Sequence, residues 1–437
     1  MNHKHLLLLF LVSATISRLP AADEGVALDG KAFFSKMAPG EVQELRTRLE
    51  SLNSDIATRG VLTLEGERDK LLTGYAYLEF YDWDLYFENV YLSYYGVSTY
   101  CFTNLRAFLA RQKPDGFIPR SFGTKNWGEG HHFKPFLAQL VVLGCRQTGD
   151  YEWLREGTYA ALGRYLDRWF AYDFDKNGLP VWDSADANGM DNQLRRSGRR
   201  GSFFGEGVDL ACYLHRELRA MAVLAAELGK ADDQRAYEER AARLAETANR
   251  IFWDEAEGFY FDRNEKTGER IPVKSVVAFL PLWAGIASPK QAERLVREHL
   301  LNENEFWLAY PIATYAATEP DYYQGVRGRE CNWQGNAWIP TNYMVMHGLL
   351  DYGFRDVAKE LAERTFRMVL KKNAVTREFY RSDTGEGLGM NPFWGWSSLA
   401  YVMPLEAALG YNPMSLSAAP QPLLATFLDL RWPSPSP

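Results

Sequence analysis

The chain contains no apolar run near the roughly 18 residues that a membrane-crossing helix requires, so no span is expected. Cysteine is scarce. Cys101, Cys145, Cys212 and Cys331 are scattered, with no CxxC and no His/Cys spacing that suits a metal. Stability is therefore expected from a core rather than from a disulfide framework, with the thiols buried and free in apolar helices. The seven histidines, two of them adjacent (His131, His132), also lack ligand spacing, so no metal site is expected. HExxH, GxSxG, a Walker loop and a Gly-rich dinucleotide fingerprint are all missing. Those absences remove zinc proteolysis, α/β-hydrolase chemistry, P-loop phosphate binding and Rossmann cofactor binding. Positive charge is not in excess either. The net charge of -7 gives no cationic footprint for nucleic acid or an anionic membrane.

Aromatic residues are plentiful, with 13 Trp and 24 Tyr in 437 residues. Such rings have flat apolar faces and polar edges, which suit sugars as well as cores. At the N-terminus, basic Met1–His5, apolar Leu6–Ala14 and small Ala21–Ala22 have the form of a secretory signal peptide over residues 1–22. An exported protein, periplasmic or secreted, is the expectation. From Ser415 the chain is Pro/Ser-rich, and residues 415–437 are expected to carry no structure.

Between these ends the periodicity is helical. Leu210, Leu214, Leu218 and Met221 share one face of 208–227, and Gly229 stands where a helix ends. Similar stretches lie near 40–52, 88–111, 131–147, 152–170, 232–251, 275–300, 337–351, 354–370 and 396–409. Loops rich in Gly, Asp, Trp and Tyr separate them, at 113–130, 173–207, 253–274, 319–336 and 372–395. Helical hairpins joined by long polar–aromatic loops suggest a single all-α domain over 23–414, an (α/α)6 barrel or toroid whose site is built from loops.

Four acidic–aromatic clusters remain as candidates for chemistry: Tyr81–Glu88, Trp182–Asn192, Cys331–Pro340 and Arg377–Gly387, the last followed by Phe393–Ser397. A carboxyl among rings is costly to ionise and keeps its proton to higher pH. Glycoside hydrolysis needs one protonated and one ionised carboxyl. Asp191 lies in a glycine-flanked loop, and Glu378 stands between Arg377 and Arg381, which are expected to hold it ionised.

These clusters resemble known motifs. YDWDLYF at 81–87 resembles the trehalase signature ending in YYWDSYF, and WQGNAWIP at 333–340 resembles the WRGPxW segment of related glucosidases. FWGWSS at 393–398 resembles the FGWTNG segment of trehalases. Gly189–Asn192 matches the ESGxDNSP loop of glycoside hydrolase family 63, and EFYRSDTG at 378–385 resembles its ENYxPxTG. The chain is similar to that family throughout 77–400, and within it to the bacterial mannosylglycerate and glucosylglycerate hydrolases. The resemblance implies an (α/α)6 barrel, inversion of configuration and no cofactor. It gives Asp191 the role of general acid and Glu378 that of general base, with Glu386 as the alternative base. Trp83 and Asp84 would hold sugar hydroxyls, Trp182, Trp333 and Trp338 would form the walls, and Tyr77 and Gln139 would add contacts. For inversion the two carboxyls should stand roughly 6.5–9.5 Å apart.

The sequence departs from the pattern at Ala187-Asn188, at Gln193-Leu194 and at Gln334 and Asn336, which leaves the substrate open. A small carbohydrate is the expected partner, a mannosyl- or glucosylglycerate or, failing that, trehalose or an α-gluco-oligosaccharide. A glycerate carboxylate would suit the arginine run Arg195, Arg196, Arg199 and Arg200, with Tyr322, Tyr323 and Gln324 as further donors. A non-catalytic sugar-binding protein is the reading from another class.

Overall fold

Helices that are apolar on every side must be covered on every side, and this chain alternates them with helices that are apolar on one face only. The computed structural model describes residues 28–182, 187–193, 205–328 and 330–433. The segment expected to be a leader lies outside them. The helices in its first half are α1 (Gly30–Lys36), α2 (Pro39–Asp55), α3 (Asp82–Ser93), α4 (Thr99–Leu109), α5 (Leu137–Thr148), α6 (Thr158–Phe170) and α7 (Val208–Glu227). Then come α8 (Ala231–Phe252), α9 (Leu280–Ala284), α10 (Pro289–Arg294), α11 (Ile339–Asp351), α12 (Arg355–Lys372), α13 (Met403–Leu409) and α14 (Leu423–Leu428).

Every residue of α3 is buried, whereas α8 buries Ala241, Leu244, Ala248 and Phe252 at spacings of three and four. The packing order follows. α3 meets α5, α5 meets α7, α7 meets α9, α9 meets α11, and α11 meets the 3-10 turn Trp396–Tyr401, which returns to α3. That is a closed inner ring of six. Outside it α4 packs on α5, α6 and α8 on α7, and α12 on α11. The architecture is the all-α barrel expected from the sequence.

Several boundaries differ from the sequence reading. The stretch near 88–111 is two helices, because Gly96 turns with φ +73° between α3 and α4. The stretch near 131–147 becomes helical only at Leu137, since His132 is tied to Ile118 and Lys134 to Asp82. Gly229 does end α7, with φ +72°. All four cysteines are free, Cys101, Cys145 and Cys212 buried and Cys331 half-buried in a loop. The expectation for the tail is corrected. Residues 423–428 form α14 because Leu423, Leu424, Leu428 and Leu430 supply an apolar face, and all four are buried. Trp432 also packs on Tyr95.

The strands among the described residues form five two-stranded antiparallel pairs. Glu79–Tyr81 pairs with Ser121–Gly123 and leads directly into α3, and Phe379–Tyr380, which directly follows Glu378, pairs with Gly387–Leu388.

Candidate active site

The first acidic cluster opens α3. Asp82 and Asp84 occupy its first turn, where the exposed N–H groups favour negative charge. Asp82 accepts from the backbone N–H of Lys134 at 2.8 Å and from Lys134 Nζ at 2.9 Å, both side chains fully buried. Lys134 Nζ also lies over the Trp83 ring, 5.1 Å from its centroid. Asp84 accepts the Tyr75 hydroxyl at 2.7 Å. Burial pushes the Asp84 carboxyl up to about 7 despite that bond.

Glu378 comes from the other side of the ring. Its Oε2 accepts the Met390 N–H at 2.8 Å, and its Oε1 the Cys331 thiol at 3.5 Å. Its backbone carbonyl is fixed by the Trp396 indole N–H at 3.0 Å. Gly389 makes this possible, with φ +73° and a position where a Cβ would lie 2.5 Å from Glu378 Oε2. Burial raises the Glu378 pKa above its ordinary value, the two hydrogen bonds lower it, and the nearby Asp191 carboxylate raises it. The expected arginine effect is corrected. Arg381 forms a bidentate pair with Asp383 at 2.9 and 2.6 Å and is not a partner of Glu378. Glu386, the alternative base, is exposed on the turn that follows.

Asp191 lies on the short segment 187–193, which its neighbours clamp. Asn188 Oδ1 accepts the Met190 N–H, and Gly189 turns at φ +80° against Lys134 and Trp83. Asn192 donates to the Tyr323 hydroxyl at 2.9 Å and accepts the Trp333 N–H at 2.7 Å. Gln193 donates to the Trp333 carbonyl at 2.8 Å and accepts from Ser275 at 3.0 Å. Gln193, one of the departures from the family pattern, thus ties the Asp191 loop to the Trp333 loop. The Asp191 carboxylate acts electrostatically on Glu378, on Cys331 and on Arg120. For Arg120, burial opposes the charge, but Asp82, Asp191 and Asp84 hold it in place.

Rings fill the space between these groups. Trp333 stacks on Trp338 at 3.7 Å, Trp338 on Phe379 at 4.6 Å, and Trp83 meets Trp333 and Trp396 at 5.9 and 5.4 Å. Tyr77 is half-buried, and its hydroxyl is pushed up by burial, by Glu378 and by Asp84.

The structure therefore gathers Asp191, Glu378, Asp84, Trp83, Tyr77, Trp333 and Trp338. Gln139 and Trp182 stand apart, whereas Tyr323 and Gln324 lie in the loops that hold this group. Gln139 donates to Pro135 O and Glu217 and accepts from Arg216, inside the ring. Trp182 gives its indole N–H to Asp209 and packs on Trp169 and Tyr213. Tyr323 donates to Glu330, and Gln324 is bonded to Tyr322, Gly335 and Ser382, so both brace the loops. Arg196 and its companions lie outside the described residues. Sequence reasoning missed Tyr75, Arg120 and Lys134. A lysine between Phe133 and Phe136, and an arginine in the apolar stretch Phe117–Phe122, were the available signals, since charges in such surroundings require partners.

The comparisons with known proteins bear on the family and the fold. The mannosylglycerate hydrolase MGH1-like glycoside hydrolase domain matches residues 77–397. The mannosylglycerate hydrolase of Thermus thermophilus is 34% identical over 187 residues, which are 42% of this chain and 40% of that one. Mannosylglycerate hydrolase MGH2 of Selaginella moellendorffii is 30% identical over 190 residues, 43% of this chain and 36% of that one. The matched stretch is thus less than half of the length of either relative. Among solved structures, a GH63 mannosylglycerate hydrolase from Thermus thermophilus in complex with Tris and D-glycerate superposes with a TM-score of 0.67 at 22% identity, over 83% of this chain and 99% of that one. Neutral trehalase from Saccharomyces cerevisiae gives 0.58 at 20% identity, over 87% and 85%. With its family domain extending from before α3 to the start of the Trp396–Tyr401 turn, the chain belongs to the mannosylglycerate hydrolase MGH1-like glycoside hydrolases.

Proposed function

We propose that this protein hydrolyses the α-glycosidic bond of a short glycoside with inversion, and that a mannosyl- or glucosylglycerate is its first candidate substrate. The observation that carries the reading is the pairing of Asp191 and Glu378, two carboxyls from opposite loops that act on each other beside a wall of tryptophans. The names of the relatives supply the candidate substrate. In this reaction Asp191 gives its proton to the glycosidic oxygen as the bond to the anomeric carbon breaks. Glu378 takes a proton from the water that attacks the opposite face of the ring. Asp84, Trp83 and Tyr77 border the sugar. Asp84 accepts hydroxyl hydrogen bonds, and the tryptophan faces cover the apolar side of the ring.

A second reading reverses the roles, and a specific observation favours it. Arg120 lies near Asp191, an opposite charge that favours the ionised form of that carboxyl, while burial shifts the Glu378 pKa upward. Substrates with an activated leaving group separate the two. An α-glycosyl fluoride needs no proton donor, so the variant lacking the acid keeps turning it over, while the variant lacking the base does not. The expected result is fluoride hydrolysis by Asp191→Asn and none by Glu378→Gln, with both about 10³-fold or more down on a natural glycoside. The opposite pattern assigns the reversed roles. Full activity in both variants would sink the pair altogether. The β-anomer appearing first by NMR is the sign of inversion.

A further inference from the structure

A tryptophan left in water calls for an account, because burying such a ring is among the most favourable things a fold can do with it. Trp127 is 65% exposed, the most exposed of the large apolar side chains among the described residues. It is not on a loose segment. Glu79, fully buried, accepts from Ser121 Oγ at 3.0 Å, from the Lys125 N–H at 2.8 Å and from the Asn126 N–H at 3.3 Å. Asn126 Oδ1 accepts the Gly123 N–H, and Ser121 Oγ accepts the Gly128 N–H at 2.9 Å. Both flanks of Trp127 are thus anchored to one buried carboxylate, and the ring is presented by a braced turn.

The position of that turn decides its meaning. The Trp127 ring lies edge-on to Tyr77, with centroids 6.5 Å apart. Tyr77 in turn feels Glu378, Asp84 and Cys331. Trp127 therefore stands one ring outward from the side chain that senses Glu378 and Asp84. Two more of the exposed apolar side chains lie on loops of the same centre. Met390, 37% exposed, follows the Gly389 turn and gives its N–H to Glu378, and Val326, 41% exposed, follows Gly325, which is bonded to Asn336.

We infer that Trp127 is a specificity-determining platform for a second sugar ring, beyond the one that Asp84 and Tyr77 border, so that a disaccharide rather than a glycerate glycoside is the substrate it selects. This inference rests on the reading of Asp191 and Glu378 as the hydrolytic pair and adds the substrate class. A glycerate unit has only three carbons and no ring face to lay on an indole, whereas a hexose presents a patch of C–H groups matched to one. The loop itself carries one lysine and one glutamate (Lys125, Glu129), which gives no preference for a carboxylate.

The test compares wild type, Trp127→Phe and Trp127→Ala on trehalose, kojibiose and maltose, on the glycerate glycosides, and on α-glucosyl fluoride. The expected result is a fall of about tenfold or more in the ratio of kcat/KM on a disaccharide to that on the fluoride for Trp127→Ala, mostly through KM. Trp127→Phe should recover most of it. The exposed position keeps folding out of the comparison, which circular dichroism checks. An unchanged ratio overturns the platform. Should wild type cleave no disaccharide, a fluorescence titration of Glu378→Gln with the same sugars decides. Quenching that vanishes with Trp127→Phe supports the platform, and no such component overturns it. Loss of fluoride hydrolysis in Glu378→Gln tests the underlying reading by itself, so the two fail separately.

Discussion

At the residue scale, the site shows how a half-buried carboxylate is kept usable. Glu378 is pushed toward its protonated form by burial and by Asp191, and is pulled back by one backbone N–H and one thiol. The thiol is the unusual partner. Cys331 is held far above its ordinary range by burial, by Glu378 and by Asp191, so it remains protonated and acts as a donor. Removing it takes away a hydrogen bond to the charged form of Glu378, and the carboxyl should then hold its proton to higher pH. For Cys331→Ala the limb of the kcat/KM profile that belongs to Glu378 is expected to move upward by roughly half a unit to one unit, equivalent to about 1 kcal/mol. Cys331→Ser, which restores a donor, should bring the limb back. An unmoved limb in Cys331→Ala would show that the thiol does not act on the carboxylate. This detail was not legible in the sequence. Cys331 stood inside a recognised cluster, but nothing along the chain placed it against a residue 47 positions away.

At the scale of elements, the barrel supplies rigid ends and the loops supply chemistry. The segment 387–396 is an instance: a strand pair ends at Leu388, Gly389 turns in the left-handed region, and the next N–H meets Glu378. Gly389→Ala combines a φ that L side chains rarely adopt with a Cβ 2.5 Å from the carboxylate. It should lower kcat about tenfold to a hundredfold while leaving KM for glycone-side binding far less affected, because the carboxylate is displaced rather than the sugar pocket. Steady-state kinetics on a single α-glycoside checks this, and equal losses in both parameters would place the damage in binding. Helix faces such as Leu210, Leu214 and Leu218 were legible, because a repeating apolar pattern is local. The Asn192–Trp333 and Gln193–Ser275 tethers were not. They join loops 141 and 82 residues apart, and amide side chains show no periodicity that would reveal their partners.

At the scale of the whole molecule, the alternation of helical stretches with long polar–aromatic loops already pointed to a ring whose site is built from loops. How the ring closes was hidden. Closure depends on Glu406 of α13, which is fully buried in a stretch that reads as an ordinary amphipathic helix. Its carboxylate accepts the Tyr343 hydroxyl at 2.6 Å and faces His347 Nε2 at 2.9 Å, both on α11, and it also takes the hydroxyl of Tyr94, just past the end of α3. One side chain therefore joins α13, which follows the last inner segment, to α11 and to the end of α3. Glu406→Ala would leave two tyrosine hydroxyls and a histidine without their acceptor in a dry interior, and each such loss costs about 1–3 kcal/mol. Partial relaxation makes the whole about 3 kcal/mol or more, which is a large part of the stability of a typical fold. Denaturant unfolding should show this as a lower midpoint. The protein that remains folded should keep its specific activity, because Tyr94, Tyr343 and His347 are not among the rings that border Glu378. A midpoint within about 0.5 kcal/mol of wild type on conversion, the scatter of neutral substitutions, would mean that ring closure is carried by the apolar contacts of α3, α11 and α13 alone.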